Sequence, residues 1–161
     1  MTTNKKEEIL CLVRDGKAEP AAKYAYGSRG IIYRREGPVD LSAEYTLYGY
    51  KGSQNVVVIP SKIGKTPITA IGVPDRHKVY TQAAFWDVDT IVVSEGIREL
   101  NYCAFSIVNK LKHIYLPDSL EHVAEDALLY HTGTTVYCSK GNTLAQKIAK
   151  EHDFACILLD E

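Results

Sequence analysis

Four short stretches decide the fold: Val57-Val58-Ile59-Pro60, Ile91-Val92-Val93-Ser94, Ile114-Tyr115-Leu116-Pro117 and Val136-Tyr137-Cys138-Ser139. Each is a run of β-branched, aliphatic or aromatic residues that ends at a proline or serine able to turn the chain. The ends at residues 94, 117 and 139 are spaced by 23 and 22 residues. Six residues after Ser94 and Pro117 stand Leu100 and Val123. Ala104-Phe105 and Ala127-Leu128 follow them. The first unit offers Ile71 and Ala84-Phe85 in the same roles, but its interval is 34 residues, from 60 to 94. Two insertions account for the excess: one around Gly64-Lys65-Thr66-Pro67, the other within about residues 73–82. A recurrent apolar pattern at this period means stacked coils, because one coil cannot bury its own apolar side. The expected fold is therefore a β-rich (α+β) solenoid, a short right-handed leucine-rich-repeat coil with about three repeats.

Working outward, both ends look like caps. Ile9, Leu10 and Val13 are assigned to one face of a helix over 6–15, which Asp15-Gly16 stops. Pro20 suits the first turn of a second short helix reaching about Tyr26. Residues 31–35 and 44–50 read as strands. At the far end Asn142 is placed to cap a helix over 143–152, with Leu144, Ala145, Ile148 and Ala149 on one face. A last strand over 154–158 follows. The domain reading is a helical and strand capping segment, 1–43, and a repeat domain, 44–161.

The ordered set of positions resembles the BspA-like leucine-rich repeats of bacteria. Ile59-Pro60, Ile71-Gly72 and Ala84-Phe85 carry the resemblance in the first unit. Leu100 and Ala104-Phe105 carry it in the second, and Leu111, Leu116-Pro117 and Val123 in the third. Tyr48-Gly49-Tyr50-Lys51-Gly52 is similar to the family's opening segment, and Gly141-Asn142 with the small helix to its close. Ser94 stands where the pattern has proline, Asn101 and Ala124 where it has glycine, and Leu128 where it has phenylalanine. The resemblance implies a module that binds other proteins, often at a cell surface or secreted.

Composition excludes several classes. Nineteen basic against 20 acidic residues leave a net charge of -1, which favours neither nucleic acid nor an anionic membrane. The start, Met1 to Glu8, has a lysine pair followed by glutamates rather than a signal peptide's apolar stretch, so a cytoplasmic location is expected. No apolar run approaches a membrane helix. The four cysteines, Cys11, Cys103, Cys138 and Cys156, show no close pairing and read as buried free thiols.

No catalytic or metal constellation emerges, and no cofactor is expected. Gly64-Lys65-Thr66 lacks the glycine five residues earlier that a phosphate loop needs; Ile59 stands there. His131 and Cys138 do not make a four-ligand site. Glu125 and Asp126 are neighbours in a turn, and Arg34-Arg35 point to opposite faces of a strand. A catalytic site on the first 43 residues lacks a recognisable nucleophile and base.

Two features point to a protein partner. Val58, Val92, Tyr115 and Tyr137 alternate with core residues, so parallel stacking aligns them in one outward column. His113 stands beside it, in line with Thr90 and Thr135. Such a column suits a partner contact, with a cross-strand ladder or burial under the N-terminal helices as the competing readings. The segment Val73-Pro74-Asp75-Arg76-His77-Lys78-Val79-Tyr80 lies outside the repeating frame, where solenoids carry binding loops. The expected contact set is Val92, His113, Tyr115 and Tyr137, with Arg76, His77 and Tyr80 from the loop. A second copy of the chain is the alternative partner.

Overall fold

A computed structural model describes residues 4–72, 88–101, 104–105, 111–125, 127–128 and 133–160. Helix α1, Lys5–Asp15, starts at Asn4, whose side chain accepts a hydrogen bond from the Glu7 amide. A single 3-10 turn, Ala21–Lys23, follows Pro20. Then come β1 (Tyr24–Ser28), β2 (Ile31–Arg34), β3 (Gly37–Asp40), β4 (Tyr45–Tyr50), β5 (Val56–Ile59), β6 (Lys62–Ile63) and β7 (Thr66–Ile71). After the segment 73–87, which lies outside the described residues, come β8 (Thr90–Val93), β9 (Glu99–Leu100), β10 (His113–Tyr115), β11 (His122–Val123) and β12 (Thr135–Cys138). Helix α2 (Thr143–Glu151) and β13 (Ala155–Leu158) close the order.

The coils stack as the spacing requires. One sheet runs β5-β8-β10-β12-β13, all parallel. Its register pairs Val57 with Ile91, Ile91 with Ile114, and Ile114 with Val136. The opposite wall of the coil is the ladder β4-β7-β9-β11, which pairs Leu47 with Ile71, Ile71 with Leu100, and Leu100 with Val123. The inward columns of both walls form one buried core, joined by Ala104, Phe105, Ala127 and Leu128 at the turns. This is a solenoid of the leucine-rich-repeat type. Each coil presents an incomplete apolar side that only its neighbour covers.

Acidic side chains at the turns fasten one coil to the next. Glu95 accepts hydrogen bonds from the amides of Asp118 and Ser119 at 2.9 and 3.1 Å. Asp118 accepts from the Ser139 hydroxyl at 2.6 Å, and Asp160 from the Lys140 amide at 2.6 Å. Asn142 caps α2 by accepting from Ala145 N at 3.1 Å. Its amide nitrogen also donates to the carbonyls of Leu116 and Pro117. The same side chain thus starts the closing helix and ties it to the preceding coil.

The structure corrects the N-terminal reading in two places. The helix expected from Pro20 to Tyr26 is one turn long, because β1 finds an antiparallel partner in β4. Pairing satisfies more backbone groups than a short isolated helix does. It also brings Tyr24 against Tyr50 in a tilted contact, with ring centres 5.3 Å apart. In α1 the inward face is Ile9 with Leu12, while Leu10 and Val13 are exposed. Ile9 and Leu12 are three residues apart, so they lie one above the other on one side of a helix.

Candidate interaction surface

The outward column forms in the expected register: Val58 beside Val92, Val92 beside Tyr115, and Tyr115 beside Tyr137, continued by Ile157. Its exposure is the point that fails. Val92, Tyr115 and Tyr137 are buried, Tyr137 to 1% exposure, because α1 lies across the sheet with Ile9 in the middle of the cluster. Leu12, Ile157 and Leu159 pack around it. The physical reason is area. A row of two aromatics and two valines is too apolar to leave in water when a half-apolar helix is tethered nearby. The column is a seat, and α1 fills it.

Gly16 makes the seating close. It caps α1, its amide donating to Leu12 O at 2.9 Å. A Cβ there would meet Leu12 O at 2.4 Å and Val58 Cγ2 at 2.9 Å. The chain therefore leaves the sheet where a side chain has no room.

His113 lies half-buried at the rim of the seat. Its Nδ1 and the Tyr137 hydroxyl are hydrogen-bonded at 2.9 Å, with ring centres 5.7 Å apart. Desolvation holds the imidazole below its ordinary value, Lys5 of α1 and Lys112 pushing the same way and Asp89 and Glu8 opposing. Burial pushes the Tyr115 phenol up to about 12 and raises that of Tyr137. All three shifts favour the neutral ring, as a contact with an apolar helix face requires. Arg76, His77 and Tyr80 lie outside the described residues.

Among the described residues, the most exposed large apolar side chains are elsewhere, on the hairpin β2–β3. Its register pairs Ile31 with Asp40 and Tyr33 with Pro38, so Ile31, Tyr33 and Pro38 share one face. Tyr33 is 81% exposed and Ile31 59%. Ile32 and Val39, paired on the other face, are half-buried. The two-residue turn Arg35-Glu36 leads into Gly37, whose φ of +122° favours glycine.

An ion-pair cluster roots the hairpin on the solenoid. Arg29, just before it, is buried, donates to Thr69 Oγ1 at 2.9 Å and pairs with Glu99. Arg34 of β2 lies 3.5 Å from the same Glu99 carboxylate. Arg98 pairs with Glu44. The local sequence did carry the signal for the hairpin. Ile31 and Tyr33 stand two apart, and Glu36-Gly37 follows with Pro38 and Val39 beyond, an alternating strand and a turn. Stopping the strand at residue 35 hid the second strand and the shared face.

The thiols differ from expectation as well. Of the three described cysteines only Cys138 is buried; Cys11 and Cys156 are exposed. Among the described residues, no three His, Cys, Asp or Glu side chains assemble as a metal site. Among the same residues, no helix is long and apolar enough to cross a membrane.

Comparison with known proteins gives little beyond the fold. No family model matches the chain. No curated protein matches it either. A similar solved structure is the crystal structure of the T. pallidum leucine-rich repeat protein, at 15% identity over 75% of this chain and 71% of that one, with a TM-score of 0.30.

Proposed function

We propose that this chain is a non-catalytic protein-interaction module of the BspA-like leucine-rich-repeat kind, and that the β2–β3 hairpin presents its contact face. The observation that carries this reading is Tyr33 at 81% exposure beside Ile31 at 59%, on a strand whose Arg34 is ion-paired to Glu99 of the solenoid. A rigidly rooted tyrosine offers large contact area at low entropy cost, which suits it to anchor a partner. The repeat coils then serve as the frame, and residues 1–43 as cap and contact element together. Arg76, His77 and Tyr80 of the insertion are proposed as further contacts. Cytoplasmic residence is proposed, with display at the cell surface as the alternative that the resemblance favours.

A photo-crosslinking residue at position 33, compared with one at position 115, tests the contact face in extract of the source cells. A discrete heterologous adduct at 33 and none at 115 is the expected outcome. Equal labelling at both positions, or labelling at 115 alone, rejects the hairpin as the contact face. A second reading, self-association, draws on the exposed Leu10 and Val13 of α1 together with this hairpin. Light scattering after size-exclusion chromatography separates the two, since a monomer at every concentration leaves only the heterologous partner.

A further inference from the structure

Cys138 and Cys156 lie 18 positions apart in the chain, yet their sulfurs are 3.8 Å apart. Cys138 ends β12 with its side chain in the core, and Cys156 lies on β13. The ladder pairs Val136 with Cys156 and Cys138 with Leu158, so the two thiols are diagonal neighbours on the core side of the sheet. One is fully buried and the other exposed. β13 ends the sheet order, bonded to β12.

We propose that Cys138 and Cys156 are a modification site: a hydroperoxide oxidises them to an intramolecular disulfide that fastens edge strand β13 to β12. The site is independent of the interaction reading above. In the first step the Cys156 sulfur attacks a peroxide oxygen. The O–O bond breaks, Cys156 becomes a sulfenic acid, and its thiol proton goes to the departing oxygen, which leaves as an alcohol (water, when the oxidant is hydrogen peroxide). In the second step the Cys138 sulfur attacks the sulfenic sulfur. The S–O bond breaks, the Cys138 proton leaves with the hydroxyl as water, and the S–S bond forms. Two electrons have passed from the two thiols to one peroxide.

The order follows from access, since peroxide reaches the exposed thiol and the core shields the other. Burial, with Cys156 close by, pushes the Cys138 thiol up to about 12. The second step is therefore slow near neutrality and quickens as pH rises. The same burial makes Cys138 a poor leaving group when a reductant attacks Cys156, so the bridge is slow to open.

A disulfide needs the sulfurs at about 2.05 Å, and diagonal ladder neighbours start with their Cα atoms about 7–8 Å apart, wider than a relaxed bridge. β13 must slide along β12 toward Cys138. As an edge strand it drags no further strand with it. The bonds that must adjust are those of the β12–β13 ladder, together with Leu159 N to Cys138 O, 2.9 Å, and Lys140 N to Asp160 Oδ1, 2.6 Å.

The test uses the full chain with Cys11→Ser and Cys103→Ser, treated with hydrogen peroxide under non-reducing conditions. The expected product is a monomer lighter by about 2 Da, with no free thiol, that a phosphine reductant restores. Peptide mapping should join residues 138 and 156, and the rate of bridge closure should rise above neutral pH. Adding Cys138→Ala should let dimedone trap a sulfenic acid at Cys156; should that variant not fold, mapping of the parent decides alone. A covalent dimer through Cys156, a gain of about 32 Da at Cys156 with Cys138 still present, or two unreacted thiols overturns the proposal.

Discussion

Two tyrosine-bearing faces of this molecule end in opposite environments. Tyr115 and Tyr137 stand on the outside of the solenoid wall and are buried; Tyr33 stands on a two-stranded hairpin and is 81% exposed. The strand pattern alone does not separate them, since all three alternate with residues that face inward. The difference lies in what the chain can lay over each. The wall column is flat, continuous over five strands and within reach of α1. The hairpin keeps Ile32 and Val39, a half-buried pair, on one face and turns Ile31, Tyr33 and Pro38 to water on the other. An outward aromatic on a repeat wall is therefore a better marker of a seat for the chain's own helix than of a partner site.

The sharpest way to break the comparison is truncation of one ring on each face. Tyr137→Ala should lower the unfolding free energy by about 4 kcal/mol, as for other large buried aromatics, and urea titration checks it. Were its effect as small as that of an exposed residue, α1 would not be seated as described. Ile9→Ala removes the central contact from the helix side and should cost about 3 kcal/mol. Hydrogen exchange should then show the amides of α1 opening first while those of β8 and β10 stay protected. Gly16→Ala acts at the hinge. The added methyl has no room beside Leu12 O and Val58, so a cost of about 2 kcal/mol is expected, again confined to α1 exchange.

A pH series sharpens the same contact. The His113 value is depressed in the fold, so the unfolded chain takes up its proton first as acid is added. The stability contributed by neutral His113 is complete above the unfolded value of 6.5 and is lost as pH falls from there through the depressed native value. Urea midpoints measured on either side of 6.5 should show the decline, and His113→Gln should flatten it. The smallest stability effect belongs to the other face. Tyr33→Ala should change the unfolding free energy by less than about 0.5 kcal/mol while removing partner capture. A large loss of stability there would make the hairpin tyrosine structural.

The wall was legible because its coils repeat. Ile91, Ile114 and Val136 recur at intervals of 23 and 22 residues, Val57 precedes Ile91 by 34 because of the two insertions, and Ile71, Leu100 and Val123 answer them on the other wall. Repetition multiplies a weak signal in each unit. The seating of α1 had no such help. Ile9, Leu10, Leu12 and Val13 offer two overlapping apolar faces, and only the sheet selects Ile9 with Leu12. The strand β1 was hidden for a similar reason, since Pro20 favours a helical turn locally and β4 prevails through pairing. The close approach of Cys138 and Cys156 depends on a parallel register across the closing helix, which residue spacing does not encode.

The order of the five-stranded wall follows the chain, β5 to β13, while α1 precedes all of it. During synthesis each coil thus meets a finished neighbour as it leaves the ribosome. The helix emerges first and finds its seat last, because residues 58, 92, 115, 137, 157 and 159 all help to line it. An 11-residue helix is marginal in water by itself. Between the emergence of residue 58 and that of residue 159 the nascent chain therefore carries a growing, incompletely covered stripe of valine and tyrosine. That interval, rather than the finished fold, is when the stripe is open to aggregation.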